Sequence, residues 1–200
     1  MNGCGTGKPA DIQNPYSLTG DNSSVSSQFF ARNLCVTDDI NFGTDQVHAD
    51  YAEGAGVFDL TTKEVLYSQN LFEKLYPAST TKILTCIVAM EQCKPDEVVT
   101  FSTKAASQPK VHLGAKKGEQ FYMQDLWYGL MLESYNDCAY AIAEHVAGSA
   151  EKFAALMNEK AKKIGCTDSH FVTPNGLDAK DEHGEHHTTA YDLCRIMSYC

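Results

Sequence analysis

From Ile83 to Met90 the chain reads Ile-Leu-Thr-Cys-Ile-Val-Ala-Met without a single charge, and the residues just before it are Pro77-Ala-Ser-Thr-Thr-Lys82. A helix that is apolar on most sides has to be buried on most sides. Whatever this chain folds into must therefore wrap around this segment. It must also accommodate Lys82 at its start, a costly place for a cation unless the lysine has a purpose there. Ser79 and Lys82 are three residues apart, so on a helix they share a face and their side-chain ends can meet. A serine hydroxyl is a weak nucleophile until a neighbouring base takes its proton. Burial supplies such a base, because it disfavours the charged form of lysine.

The four-residue spacing is not distinctive alone. It recurs at Ser107–Lys110 and Ser149–Lys152. Pro109 opposes a helix after Ser107, and Ser149, following Gly148, reads as the N-cap of a helix with Lys152 exposed. Only Ser79 leads into an uncharged run. Read without its context, the pair would be an N-cap serine and a lysine whose stem lies along the surface.

The rest of the chain sets the frame. Its length of 200 residues suits one domain. The net charge of −10 leaves no basic stripe to neutralise phosphates, so a nucleic-acid partner is not expected. Lys160, Lys162 and Lys163 read as a solvated helix face. No stretch approaches the length of a membrane span. The first ten residues lack the apolar region of a leader, so no signal segment is expected within the chain. Residues 1–46 read as a disordered segment or tether, rich in Ser, Asn, Gly and Thr, and residues 47–200 as the folded domain. Eight cysteines include no C-x-x-C pair, which leaves out zinc-ribbon and redox spacings. Cys86, Cys138 and Cys194 stand among apolar residues as small core side chains.

Along the folded part, residues 51–60 and 65–68 read as strands flanking a turn at 61–64. The Ser79 helix ends near Cys93, before Pro95. Residues 96–103 alternate as a short strand, and 104–121 read as a loop. Helices are expected at 124–132, 137–147 and from Ser149 to Ile164, with a last one opened by Thr188 or Thr189. Ser134-Tyr-Asn136 interrupts two of these helices with polar residues. A hydroxyl there can relay a proton and a carboxamide can donate to a carbonyl. His183, His186 and His187, with His170 and Glu185 nearby, do not match the H-E-x-x-H spacing. They are read as loop and helix-cap residues, and no metal or cofactor is expected.

Five ordered segments resemble one family. Pro77-Ala-Ser-Thr-Thr-Lys82 is similar to the S-x-x-K box of the serine penicillin-recognising enzymes. The stretch from Ser134 to Ser149 is similar to their second box, in the form found in D-alanyl-D-alanine carboxypeptidases. Asp125–Leu132, Phe171–Asp178 and His186–Asp192 resemble further segments of that family, in the same order. The resemblance implies an α/β (α+β) fold of the β-lactamase/transpeptidase type, with helices packed on an antiparallel sheet. It implies that Ser79 attacks the D-Ala-D-Ala carbonyl, that Lys82 takes its proton, and that Ser134 passes a proton to the leaving amine. Asn136 would bind the substrate amide and steady Lys82.

The implied substrates are peptidoglycan stem peptides, the implied inhibitors are β-lactam antibiotics, and the implied location is the extracytoplasmic cell envelope. Gly3-Cys4-Gly5 resembles the start of a mature lipoprotein, which implies a lipid on Cys4. The third family box, K-T-G or H-T-G, is not found, so the chain is expected to lack the C-terminal strands of the sheet and its activity is in question. Two rivals stand beside this reading: a non-catalytic envelope module that binds peptidoglycan, and a class A β-lactamase.

Overall fold

A computed structural model describes residues 40–44 and 47–200. The expected tether, with Cys4 and Cys35, lies outside the described residues apart from its last few positions. Of these, Phe42 forms a bridge with Ser68, exchanging backbone hydrogen bonds of 2.9 and 3.0 Å.

The chain begins with a hairpin of β1 (Ala55–Phe58) and β2 (Val65–Gln69), antiparallel, with Ala55 opposite Gln69 and a bulge between Val57 and Phe58. Its turn is built by Asp59, whose carboxylate accepts the backbone N–H groups of Thr61 and Thr62, the Asx arrangement that mimics a backbone turn. A 3₁₀ turn, Ala78–Thr80, leads into α1 (Thr81–Gln92). Then come β3 (Val98–Thr100), α2 (Thr103–Ala106), β4 (Gln120–Tyr122), α3 (Met123–Leu132), α4 (Asn136–Ala147) and α5 (Ala150–Ile164). A two-residue hairpin of β5 (Lys180–Asp181) and β6 (Gly184–Glu185) precedes α6 (Ala190–Tyr199). Among the described residues the strands form three separate two-stranded antiparallel sheets.

The uncharged run of α1 is explained by two cores. Cys86 and Ala89 face a cluster with Val99, Phe101, Met123, Leu126, Leu130 and Ile142. Leu84 and Val88, on the other side, face Phe153, Met157, Ile164, Phe171 and Ile196. A helix with apolar neighbours on both flanks has no position left for a charge on its middle turns. α4 sits between the same clusters, offering Cys138, Ala139 and Ile142 to the first and Ala143 to the second. A third, small cluster of Leu71, Ala190 and Tyr191 joins the β1–β2 region to α6.

Several expectations meet their structure here. Ser149 caps α5, its hydroxyl accepting the Lys152 N–H at 3.2 Å, and Thr189 caps α6 through the Asp192 N–H at 3.0 Å. The stretch 104–121, expected to be a loop, takes in α2 from its second residue and begins β4. Ser102 caps α2 by accepting the Ala105 N–H, and β4 pairs with β3, Val99 opposite Phe121. β3 lies within the strand expected at 96–103, whereas the three residues of β4 are too short to show a period of two. Asn136, expected in the interrupting turn, is the first residue of α4. Lys160 is not a simple solvated cation: it pairs with Glu91 at 2.5 Å and lies over the Tyr199 ring. No described helix is long and apolar enough to cross a membrane.

Candidate active site

Ser79 lies in the 3₁₀ turn rather than inside α1. The turn is tight. Ala78 has φ +47°, a left-handed conformation that costs a non-glycine residue on the order of 1–2 kcal/mol. This kink presents Ser79 to solvent while Lys82, one turn further, is 2% exposed. An accessible hydroxyl and a buried amine are thereby brought together, and Lys82 Nζ is 2.9 Å from Ser79 Oγ.

Lys82 is satisfied on all three N–H positions of its protonated form. It donates to Ser79 Oγ, to Asn136 Oδ1 at 2.9 Å and to the backbone carbonyl of Asn175 at 2.9 Å. None of these partners carries a formal charge. Burial alone therefore governs its proton affinity and brings the ammonium down to about 8. A carboxylate in any of the three places would have held the charge on instead.

Each partner is fixed by its own element. Asn136 stands at the first position of α4, its backbone N–H bonded to the Val111 carbonyl at 2.8 Å. Its Nδ2 donates to the Pro109 carbonyl at 3.1 Å, which leaves Oδ1 facing Lys82. Asp137, the next residue, is 1% exposed and accepts the N–H groups of Leu113 and Gly114 at 2.9 Å each. The loop 109–114 is thus laced to the start of α4, where a carboxylate also suits the helix dipole. Ser134, two residues before Asn136, has φ +59° in the turn between α3 and α4. Among the described residues no hydrogen bond joins it to Ser79 or Lys82.

The third partner was not singled out by the sequence reasoning. The segment from Phe171 to Asp178 passes under the 3₁₀ turn, and Asn175 offers Lys82 its main-chain oxygen rather than its side chain. That side chain is occupied: Oδ1 accepts the Leu177 N–H and Nδ2 donates to Gln108 Oε1 at 3.0 Å. Thr85, a turn after Thr81 on α1, donates to the Pro174 carbonyl at 2.7 Å. Gly176 has φ +82°, and a Cβ built there would fall 1.8 Å from the Ala78 oxygen. The Asn-Gly dipeptide was the available signal, since it marks a position needing φ > 0.

His186 was named from the sequence, but its role was not. It is fully buried. Its Nδ1 accepts the Val172 N–H at 2.9 Å, so the ring proton sits on Nε2 and is donated to Thr81 Oγ1 at 2.9 Å. Burial lowers its proton affinity to about 4. His186 therefore works as a neutral clamp between the 171–173 segment and the start of α1. It is neither a helix cap, which is Thr189, nor a ligand.

The arrangement can do one kind of chemistry readily. A lysine that is neutral for part of the time, bonded to an exposed hydroxyl, is a base beside a nucleophile. Comparison with known proteins gives that chemistry a family. The family model for D-alanyl-D-alanine carboxypeptidase (peptidase family S11) matches residues 42–200. The chain belongs to the D-alanyl-D-alanine carboxypeptidase family.

Members similar to it include the D-alanyl-D-alanine carboxypeptidases DacF of Bacillus subtilis and DacD of Salmonella typhimurium. DacF is 36% identical over 150 residues, covering 72% of this chain and 38% of the relative. DacD is 34% identical over 184 residues, covering 84% and 46%. Among solved structures, DacD from Francisella tularensis superposes with a TM-score of 0.71 at 30% identity, covering 81% of this chain and 39% of that one. A penicillin-binding protein of Listeria monocytogenes, solved with cefotaxime bound, gives 0.64 at 26% identity, covering 74% and 61%. The chain spans less than half the length of these curated D-alanyl-D-alanine carboxypeptidases. The fold is the mixed α/β architecture of these penicillin-binding proteins, with helices and antiparallel strands.

Proposed function

We propose that this chain carries the nucleophile half of a serine-type D-Ala-D-Ala carboxypeptidase, which removes the terminal D-alanine from peptidoglycan stem peptides. The observation that carries the reading is the 2.9 Å contact between exposed Ser79 Oγ and buried Lys82 Nζ, with the amine brought down to about 8 by burial. Ser79 attacks the carbonyl of the penultimate D-alanine. Its proton moves to neutral Lys82, a new C–O bond forms, and the carbonyl electron pair goes to oxygen. Collapse breaks the C–N bond and releases D-alanine, whose nitrogen takes a proton through Ser134. Water then hydrolyses the acyl-enzyme.

Asn136 holds Lys82 through Oδ1 and binds the substrate amide as well. The Ser79 backbone N–H is one oxyanion donor, and losing a single such donor typically costs about a hundredfold or more in rate. β-Lactam antibiotics acylate the same hydroxyl. The enzyme acts outside the cytoplasm, in the cell envelope, with Cys4 as the site of lipid attachment and residues 1–46 as the tether.

Incubation with a fluorescent penicillin, followed by peptide mapping, tests the assignment. The label is expected on Ser79. A label on Ser107, Ser134 or Ser149 overturns it. Release of D-alanine from a peptide ending in D-Ala-D-Ala tests the substrate class, and mass spectrometry of the native amino-terminal peptide tests Cys4.

A further inference from the structure

The far end of α1 carries a second cluster of reactive groups that the Ser79 chemistry does not use. Cys93 follows the last residue of α1, with an extended backbone at φ −127° and ψ 155°. Glu97 comes a turn later, and His145 projects from the last turn of α4. Sγ of Cys93, a carboxylate oxygen of Glu97 and a ring nitrogen of His145 all lie within 4.8 Å of one another.

We propose that Cys93, Glu97 and His145 form a zinc site, with three protein ligands and a position left to water.

The donor set is the first argument. One thiolate, one imidazole and one carboxylate suit a borderline-soft, tetrahedral ion better than the hard cations that prefer oxygen alone. Arrangement is the second. The Glu97 carboxylate is held before any ion arrives: Oε1 accepts the Lys94 N–H at 2.7 Å, inside a turn closed by the Glu97 N–H on the Lys94 carbonyl. That leaves Oε2 to meet His145 Nε2 at 2.9 Å. The carboxylate is thus fixed beside the imidazole, and because it meets the same Nε2 that would bind zinc, the ion has to take the place of that hydrogen bond.

Access is the third. The side chains of His145 and Glu97 are 27% and 37% exposed, while Cys93 packs against the first core cluster. The donors are therefore backed by protein on one side and open to solvent on the other. Ligands at about 2.0–2.3 Å around a tetrahedral ion stand roughly 3.3–3.8 Å apart. Side-chain shifts of about 1 Å suffice to close the ring.

Binding follows a simple balance. The Cys93 thiol is pushed up to about 11, first by burial and then by Glu97, so it enters as S–H. The S–H bond breaks, the proton leaves to solvent, and the sulfur lone pair forms the Zn–S bond. The proton that His145 Nε2 donates to Glu97 Oε2 moves by way of solvent to Nδ1, and the freed Nε2 lone pair forms the Zn–N bond. The ion then ties the end of α1 to the end of α4 around the first core. The length of α1 puts it roughly 18 Å from Ser79, so this is a stabilising site apart from the cleft. Cys93 and His145 are far apart in sequence, and no motif spacing announces them.

The test uses the reduced 200-residue chain. Titration with Co²⁺ is expected to give a thiolate-to-cobalt charge-transfer absorption that saturates at one equivalent and disappears in Cys93→Ser. Competition between Zn²⁺ and a chromophoric chelator is expected to show affinity falling at least about tenfold in Glu97→Gln and His145→Gln. Zn²⁺ should slow iodoacetamide alkylation of Cys93, mapped by mass spectrometry, and leave exposed Cys200 unprotected. That last measurement needs no variant, so it stands even if Cys93→Ser fails to fold. A missing charge-transfer band overturns the site, as does a band that survives Cys93→Ser, or alkylation of Cys93 at the same rate with and without Zn²⁺.

Discussion

Lys82 shows how one residue's surroundings decide its chemistry. Three neutral oxygens surround it, and burial brings its proton affinity to about 8. The base form is the neutral one, so acylation of Ser79 by a penicillin should rise with pH and level off above an inflection near 8. Stopped-flow acylation rates between pH 6 and 10 would show it, and a rate that is flat across that range would remove Lys82 as the base. Lys82→Arg keeps the cation and loses the ability to give it up. Acylation should fall by about a hundredfold or more while circular dichroism stays native.

Gly176 makes the complementary point about backbone. A methyl there meets the Ala78 oxygen at 1.8 Å, whereas Gly118, with a similar φ of +86°, has nothing within 4 Å. Gly118→Ala should cost about 1 kcal/mol, the left-handed penalty alone. Gly176→Ala should cost roughly 3 kcal/mol or more and disturb Ser79 with it. Urea unfolding of both separates strain from collision. Ser79 and Lys82 were legible in the sequence because their spacing and the uncharged run after them are local. The Asn175 oxygen was not, because a main-chain acceptor can belong to any residue type.

At the scale of elements, the start of α1 is held from two sides, by α4 through Asn136 and by the 171–178 segment through Thr85 and His186. The His186 link is conditional on protonation. Its Nδ1 accepts the Val172 N–H only while the ring is neutral, and the folded-state value of about 4 lies below the ordinary 6.5. Between those limits the unfolded chain binds a proton that the folded chain refuses, so folding stability is lost as pH falls from about 6.5 to 4. The shift corresponds to on the order of 3 kcal/mol.

Asp178, His170 and His187 also act on this ring, so wild type has to be compared with His186→Asn. The stability gap between the two, from urea unfolding at several pH values, should narrow as pH drops through that window. A constant gap would mean that another group titrates. The helices themselves were legible wherever caps were sequence-local, as at Ser149 and Thr189. β3 lay within the strand expected at 96–103, but its partner β4 was not legible, because three residues at the end of a long connection carry no periodic signal.

Across the whole molecule, stability is distributed unevenly. The helices α1, α3, α4 and α5 share two extensive buried clusters. The β1–β2 hairpin rests on a cluster of three buried residues with Phe58 and Phe72 beside it, and Val57 and Leu66 on it are about half exposed. A two-stranded sheet is marginal by itself, and a flat edge with exposed apolar residues invites pairing with another chain. The expected antiparallel sheet against a helical layer is present among the described residues only as separate pairs, which local pattern could not have announced.

Local opening free energies follow such differences in burial. Native-state hydrogen exchange should therefore find the amides of 55–58 and 65–69 opening well before those of α1 and α4. The hairpin should open without the helices, and its exchange should be insensitive to mild denaturant while the helical amides respond. If hairpin and helix amides exchange together through one global event, then the small α6 cluster couples them more tightly than its buried area implies. The chain would then behave as a single cooperative unit.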